Sequence, residues 1–181
     1  MAKLVSKTYG EALFELALED GTLATITEEV DVVKEAFAEN PDLLRLLGHP
    51  KIDKQEKISV IENIFKGRVS DALVGFLVII VQKDRYNDLD SIFEYFQATV
   101  REYKNIGVAS VTSAVELTED QKKQVEEKLL QTTKYSQFEI SYSVDKSLIG
   151  GMVIRIGDRV VDSSIRTKLQ VLAKELRKAT V

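Results

Sequence analysis

Residues 89–115 read LDSIFEYFQATVREYKNIGVASVTSAV, and the spacing of the apolar side chains changes within this stretch. In its first half they recur every three or four residues, which predicts an amphipathic helix that ends near Lys104. After Asn105-Ile106-Gly107 the chain is rich in Val, Ser and Thr, and Val108 to Val115 is predicted as a strand. The stretch therefore divides the chain into a helical domain, residues 1–105, and a sheet-containing domain, residues 106–181.

Upstream of this stretch, five further helices are predicted from apolar periodicity and from the residues that begin and end helices. Asn40 is predicted to cap a short third helix that has Pro41 at its first position. Asp53 with Glu56 resembles a capping box at the start of the fourth helix, and Ser70 is predicted to cap the fifth. Six helices joined by short links indicate a compact bundle.

The fifth of these segments is apolar on every face. Ala72 to Val81 reads ALVGFLVIIV, and periodicity alone would also fit a buried strand. The cap at Ser70 and the neighbouring helices favour a helix. Such a helix must be covered all round, so it is either the central helix of the core or a helix of which part is covered by a partner.

Downstream, a strand–helix–strand unit is predicted. Phe138 to Val144 alternates apolar and polar residues in strict period two, which is typical of a half-buried strand. Between this strand and the preceding one, Thr118 and Gln121 form a capping-box start for a helix that carries Val125 and Leu129. A helical crossover of this kind predicts that the two strands are parallel.

The last forty residues predict a hairpin and a final helix. Met152 to Ile156 and Arg159 to Val161 are predicted as its strands, joined by the turn Gly157-Asp158. The final helix is predicted to start near Asp162-Ser163-Ser164. Its apolar face comprises Ile165, Leu169, Leu172 and Leu176. Its basic residues are Arg166, Lys168, Lys174, Arg177 and Lys178. The predicted fold class is α+β, with an N-terminal six-helix bundle followed by a small C-terminal domain that has a mixed β-sheet and two helices.

Charge and composition exclude several classes of function. The net charge is −4, and residues 1–105 carry 13 Lys and Arg against 19 Asp and Glu. A general nucleic-acid binder needs the opposite balance. There is no cysteine, which excludes disulfides and thiolate metal sites. No apolar stretch is long enough to span a bilayer, so we expect no membrane insertion and a protein of a reducing compartment.

No set of residues predicts catalysis. The single histidine, His49, lies in the turn Gly48-His49-Pro50 without a second imidazole or a thiol to pair with, so a loop role is expected. Runs of carboxylates such as Glu28 and Glu29 lie opposite an apolar stripe, where they solvate the helix. Gly150-Gly151 lacks the spacing of a phosphate loop and is predicted as a bend. We therefore expect no active site, no metal and no cofactor.

Two segments resemble the δ family of F-type ATP synthase subunits, to which the mitochondrial oligomycin-sensitivity-conferring protein (OSCP) is related. The first is VDKSLIGGMVIRIGDRVVDSSIR, residues 144–166, and the second is YGEALF, residues 9–14. Gly10 stands where the family usually has Ala, which would weaken the first helix by about 1 kcal/mol. Ser163 stands where Gly is common, which indicates that this turn does not need a positive φ.

The resemblance implies a non-catalytic stator subunit that resists rotor torque during proton-driven ATP synthesis. In the family, a groove between the first and fifth helices holds the N-terminal helix of an α subunit, and the C-terminal domain engages the b subunits of the peripheral stalk. Carried onto this sequence, the groove draws on Tyr9, Ala12, Leu13, Leu16, Phe76, Ile79, Ile80 and Lys83. The signature on the stalk side comprises Gly150, Gly151, Arg155, Gly157, Asp158, Asp162, Ser164, Ile165, Leu169 and Leu172.

The resemblance further implies one copy per complex, at the cytoplasmic face of a bacterial plasma membrane. Two other interpretations remain open from the residues alone. An adaptor that shares the fold would bind some other helix outside the ATP synthase. An enzyme would need a pocket with converging titratable groups, for which the sequence offers no constellation.

Overall fold

A computed structural model describes the backbone of residues 2–179 and the side chains of residues 4–176. The chain divides into two compact units, Met1–Val100 and Arg101–Val181. The boundary lies in the last turn of a helix, a few residues before the predicted position at residue 105. Six α-helices lie in or begin in the first unit: α1 Ala2–Glu19, α2 Leu23–Glu39, α3 Pro41–Leu47, α4 Lys54–Phe65, α5 Asp71–Gln82 and α6 Leu89–Tyr103.

The ends of these helices agree only in part with the predicted caps. Ser70 caps α5, since its hydroxyl accepts a hydrogen bond from the Leu73 N–H. Asn40 and Asp53 occupy the predicted N-cap positions of α3 and α4, and Pro41 opens α3 as predicted. Neither side chain bonds the first turn of its helix, so the predicted capping box at Asp53 is not formed. Asn40 instead donates from its amide to the Ala36 carbonyl at the end of α2, at 2.9 Å. A short polar side chain between two helices can bond either one, and the sequence does not decide which.

The core of the first unit is a continuous apolar cluster drawn from all six helices. Phe37 of α2 stacks on Phe65 of α4 with ring centroids 5.9 Å apart, and Phe76 of α5 lies against Phe93 of α6 at 6.5 Å. Gly10 of α1 is buried against α6. On α2 and α6 the apolar residues at helical spacing are the buried ones: Ile26, Val30, Val33 and Phe37 on α2, and Leu89, Ile92, Phe93, Phe96 and Val100 on α6.

The second unit contains a four-stranded sheet in the order β2-β1-β3-β4. Its strands are β1 Ile106–Ser113, β2 Gln137–Val144, β3 Met152–Ile156 and β4 Arg159–Asp162. β1 pairs parallel with β2, from Ile106 opposite Gln137, and antiparallel with β3. β1 begins and ends two residues earlier than predicted, because its pairing with β2 already starts at Ile106.

Two helices complete the second unit, α7 Glu119–Thr132 and α8 Ile165–Ala179. The predicted capping box at Thr118 and Gln121 is present in both directions. From α7, Val125 and Leu129 pack on Ala109 and Val111 of β1. The mixed sheet with two helices confirms the predicted α+β class, and the parallel pairing of β1 with β2 confirms the crossover.

Candidate partner-binding surfaces

Among residues 4–176, no three His, Asp or Glu side chains are grouped as metal ligands would be. His49 is exposed, and its Nδ1 accepts a hydrogen bond from the Lys51 N–H at 3.2 Å, which stabilises the turn between α3 and α4. What the two units do present is exposed apolar surface on helices.

The apolar helix α5 is buried on one side and exposed on the other. Phe76 is 7% exposed and Ile80 is fully buried, so both belong to the core. Ile79 is 48% exposed, and Gly75 and Lys83 are exposed beside it. Of the predicted groove residues on α5, Ile79 and Lys83 are therefore exposed on the surface, while Phe76 and Ile80 are buried in the core.

The predicted groove residues of α1 divide in the same way. Leu13 is fully buried and Tyr9 is partly buried, whereas Ala12 and Leu16 are exposed. Ala12 and Leu16 are four residues apart and so lie on one face of α1. Leu4 of the same helix is 71% exposed, but at 3.6 residues per turn it is rotated by roughly 80–120° from these two residues.

Both ends of α5 are held by polar contacts from neighbouring helices. At its start, the Glu29 carboxylate accepts hydrogen bonds from the Ser70 N–H and hydroxyl, at 2.9 and 2.6 Å. After its end, Lys54 of α4 donates to the Gln82 carbonyl at 3.2 Å and to the Asp84 carboxylate at 2.6 Å. This hydrogen bond from Lys54 lowers the pKa of Asp84. These residues fix α5 in the free chain and were not predicted from the sequence.

The second unit exposes the apolar face of α8. Leu169, Leu172 and Leu176 are each more than half exposed, and Ile165 is 42% exposed. The predicted basic residues Arg166, Lys168 and Lys174 lie on the same helix. The side chains of Arg177 and Lys178 lie outside the described residues. An exposed leucine stripe beside cationic residues is typical of a helix that packs on a partner.

The first turn of α8, in contrast, is firmly attached. Asp162 accepts hydrogen bonds from the Ser164 N–H at 2.8 Å and the Thr167 hydroxyl at 2.7 Å. Ser164 and Thr167 together lower the pKa of Asp162. Ser164 is fully buried, and its hydroxyl accepts from the Thr167 N–H at 3.2 Å. In the first turn of the helix, Ser164 thus satisfies the free N–H of Thr167, and the Ile165 N–H donates to the Gly150 carbonyl at 2.9 Å.

Gly150 and Gly151 of the signature allow the chain to pass close to the start of α8. A Cβ on Gly151 would lie 2.5 Å from the Ser163 carbonyl oxygen, and Gly151 has a φ of +76°. A Cβ on Gly150 would lie 2.6 Å from Cδ1 of Ile165. Ser163 itself does not have a positive φ, as its departure from the family indicated. The predicted bend is thus the point where the chain passes closely against the start of α8.

The signature residues consequently have different environments. Five of them meet at the start of α8: Gly150, Gly151, Asp162, Ser164 and Ile165. Gly157 and Asp158 form the β3–β4 turn, where Gly157 has a φ of +54°, and Arg155 is exposed on β3. Leu169 and Leu172 lie further along α8 on its exposed face. Half of the signature therefore lies at the attachment of α8, and Leu169 and Leu172 belong with Ile165 to its exposed apolar face.

Within the described part of the chain, no helix is both long and apolar enough to cross a membrane. The family model for the ATP synthase delta (OSCP) subunit matches residues 5–176. A curated ATP synthase subunit delta from Lachnoclostridium phytofermentans is 62% identical over 178 residues, which cover 98% of each chain. Its counterpart from Halalkalibacterium halodurans is 36% identical over 172 residues, covering 95% of this chain and 94% of the relative.

Among solved structures, a chain of the Toxoplasma gondii mitochondrial ATP synthase hexamer has a TM-score of 0.70 at 20% identity. The match covers 94% of this chain and 96% of that one, and it bears on the fold alone. The full-length agreement with bacterial relatives confirms the resemblance seen in residues 9–14 and 144–166. The chain belongs to the ATP synthase delta (OSCP) subunit family.

Proposed function

We propose that this chain links the catalytic head of an ATP synthase to the membrane-anchored b subunits, with a separate helical surface for each partner. One observation carries the proposal: each compact unit leaves an apolar helix face exposed. In the first unit this is the face of α5 around Ile79, with Ala12 and Leu16 on α1. In the second it is the leucine stripe of α8.

Family membership supplies the coarser function. The chain is a delta (OSCP) subunit, a non-catalytic component of the peripheral stalk, and part of the ATP synthase complex. The finer assignments belong to the proposal. The N-terminal helix of an α subunit binds along α1 and α5, and the b subunits bind α8. The proposal also places one copy of the chain in each complex, at the cytoplasmic face of a bacterial plasma membrane, without insertion into the membrane.

The physical basis of the link is apolar burial on rigid elements. The exposed leucines and Ile79 gain free energy when a partner helix covers them, roughly 25 cal/mol for each Å² of apolar surface removed from water. A helix laid in an apolar groove excludes water from the contact. Because α5 is held at both ends in the free chain, little ordering is needed on binding.

The test is a pair of single charge substitutions in the full chain, each placed on one surface. We expect Ile79→Asp to weaken binding of a synthetic α-subunit N-terminal peptide by about 2 kcal/mol or more, because a carboxylate would be buried in an apolar contact. The same variant should bind the soluble part of the b subunit normally. Leu172→Asp should show the reverse, and calorimetry against each partner measures both.

Each variant serves as the folding control for the other. If Ile79→Asp and Leu172→Asp both leave the two affinities unchanged, the proposed surfaces are refuted. A third variant, Phe76→Glu, separates surface from core: Phe76 lies against Phe93, so we expect this change to unfold the first unit, as circular dichroism would show.

A further inference from the structure

Two glycines lie inside the described helices, and contacts within the chain account for only one of them. At Gly10 of α1, an added Cβ would lie 2.7 Å from Cδ1 of Tyr95 and 3.2 Å from the Ile92 carbonyl oxygen. At Gly75 of α5, an added Cβ would meet nothing within 4 Å. Gly75 also lacks a positive φ. Neither packing nor backbone conformation requires a glycine at position 75.

Glycine in the middle of a helix is unfavourable, because it loses more backbone freedom on folding than alanine does. At Gly75 this cost falls on the exposed side of α5, one turn before the exposed Ile79. The free chain gains nothing in return, so the benefit of the missing side chain must arise when something else is present. A missing side chain on an exposed helix face allows another backbone to approach closely.

A cleft between α4 and α5 adjoins Gly75. Its volume is about 250 Å³, and Val74, Gly75 and Val78 form its α5 side. Its charged lining is two carboxylates and one ammonium group, those of Glu62, Asp71 and Lys66. Within residues 4–176, none of these three groups takes part in an ion pair. The cleft thus has an apolar wall and a net negative rim whose carboxylates are free to bind a cation.

We infer that Gly75 is the point where the bound α-subunit helix comes closest to α5, and that the adjoining cleft takes one apolar side chain of that helix. A basic residue of the same helix, next to the inserted side chain, pairs with Glu62 or Asp71. This inference rests on the proposed function, since it concerns the same partner. The inference adds α4 to the binding surface. It also means that any larger residue at position 75 would keep the partner helix from approaching α5 closely.

The test compares variants of the full chain in calorimetric titrations with the α-subunit N-terminal peptide. Gly75→Leu should bind about tenfold more weakly or worse, because its side chain occupies the space of the incoming helix. Gly75→Ala should raise the melting temperature of the free chain and still weaken binding. Ala38→Leu, which adds the same bulk at an exposed site on α2, should bind as the wild type does.

The charge on the rim is tested separately. Glu62→Gln should weaken peptide binding at low ionic strength and less so at high salt, whereas Lys66→Gln should not weaken it. Unchanged binding in both Glu62→Gln and Asp71→Asn would refute the assigned basic residue. A loss of affinity in Glu62→Gln or Asp71→Asn that is absent from Lys66→Gln, and that becomes smaller at high salt, would support it.

The outcomes also separate this inference from the proposed function. If the wild type does not bind the peptide, the proposed function fails. If the wild type binds and Gly75→Leu binds equally well, the inference alone is overturned. If Gly75→Leu abolishes self-association in sedimentation experiments while peptide binding is unchanged, the face belongs to a second copy of the chain and the inference is likewise overturned.

Discussion

Gly10 lies where α1 packs most closely on α6. In the sequence it stands as a departure from the family, and only its cost to the helix can be argued there. The residues that explain it, Ile92 and Tyr95, are far away along the chain and come near only when the bundle forms. Helix propensity is therefore only part of the balance at this position, since the missing Cβ also permits close packing.

Filling this space should destabilise the first unit. We expect Gly10→Val to lower its free energy of unfolding by about 1–3 kcal/mol, because the Tyr95 ring and the α6 backbone would both have to move. Urea denaturation followed by circular dichroism measures the change. Ala12→Val, which places the same side chain on the exposed face of α1, should change stability by less than about 0.5 kcal/mol. Equal losses in the two variants would contradict this account of Gly10.

Single caps were predicted less reliably than whole helices. Ser70 caps α5 and Thr118 caps α7, but Asn40 and Asp53 do not bond the first turns of their helices. Ser70 in addition is held by Glu29 from α2, a contact between distant residues. Several hydrogen-bonding partners of similar energy compete at a helix end, and only some of them are close in sequence.

At the scale of an element, the spacing of apolar residues in α5 does not distinguish its buried face from its exposed face. Its buried and exposed faces are both apolar, so Phe76 and Ile79 could not be assigned to core or surface from the pattern. The structure assigns them through the neighbours of the helix: Phe93 covers Phe76, and no side chain of the described residues covers Ile79 to the same extent. For α8 the pattern separates an apolar face from basic residues, but it does not show that this apolar face is exposed.

The attachment of α8 should depend on pH. The pKa of Asp162 is lower in the folded chain than in the unfolded one, so its ionised form stabilises folding at neutral pH. That contribution is complete above the unfolded-state pKa and is lost as the pH falls below it through the lower folded-state pKa. We expect Asp162→Asn to be less stable at neutral pH and to lose less stability on acidification.

Urea denaturation at a series of pH values, read by a probe in the second unit, tests this. Thr167→Val removes one of the donors to Asp162 and should give an intermediate dependence. Asp145 also has a lowered pKa, through hydrogen bonds from the Ser147 hydroxyl and backbone, so some acid dependence will remain in Asp162→Asn. Identical slopes in the wild type and Asp162→Asn would show that Asp162 does not contribute as described.

At the scale of the whole molecule, the chain is two compact units with separate cores. The change of periodicity at residues 105–107 predicted this organisation, because it marks the passage from one core to the other. Motif resemblance predicted the family, which the full-length relatives confirm. The side-chain contacts that hold α5 and α8 in place could not be predicted, since they join residues remote in sequence.

The two surfaces should respond to their partners separately. We expect the α-subunit peptide to slow amide hydrogen exchange in α1 and α5 of the full chain while leaving β1 to β4 unchanged. Hydrogen exchange followed by mass spectrometry measures this by segment, and the Ile79→Asp variant is the control that should show no protection. Slowed exchange in the sheet on addition of this peptide would contradict separate surfaces.

The place of β1 in the sheet bears on how the chain folds during synthesis. β1 is made first of the four strands, yet it lies between β2 and β3 and pairs with both. Its two edges stay unpaired until residues 137–156 have left the ribosome, whereas the helices of the first unit find their contacts among the first hundred residues. Helical units with local contacts fold faster than sheets with distant pairings. We therefore expect the proposed surface for the α subunit, on α1 and α5, to be complete while the proposed surface for the b subunits, on α8, is still being synthesised.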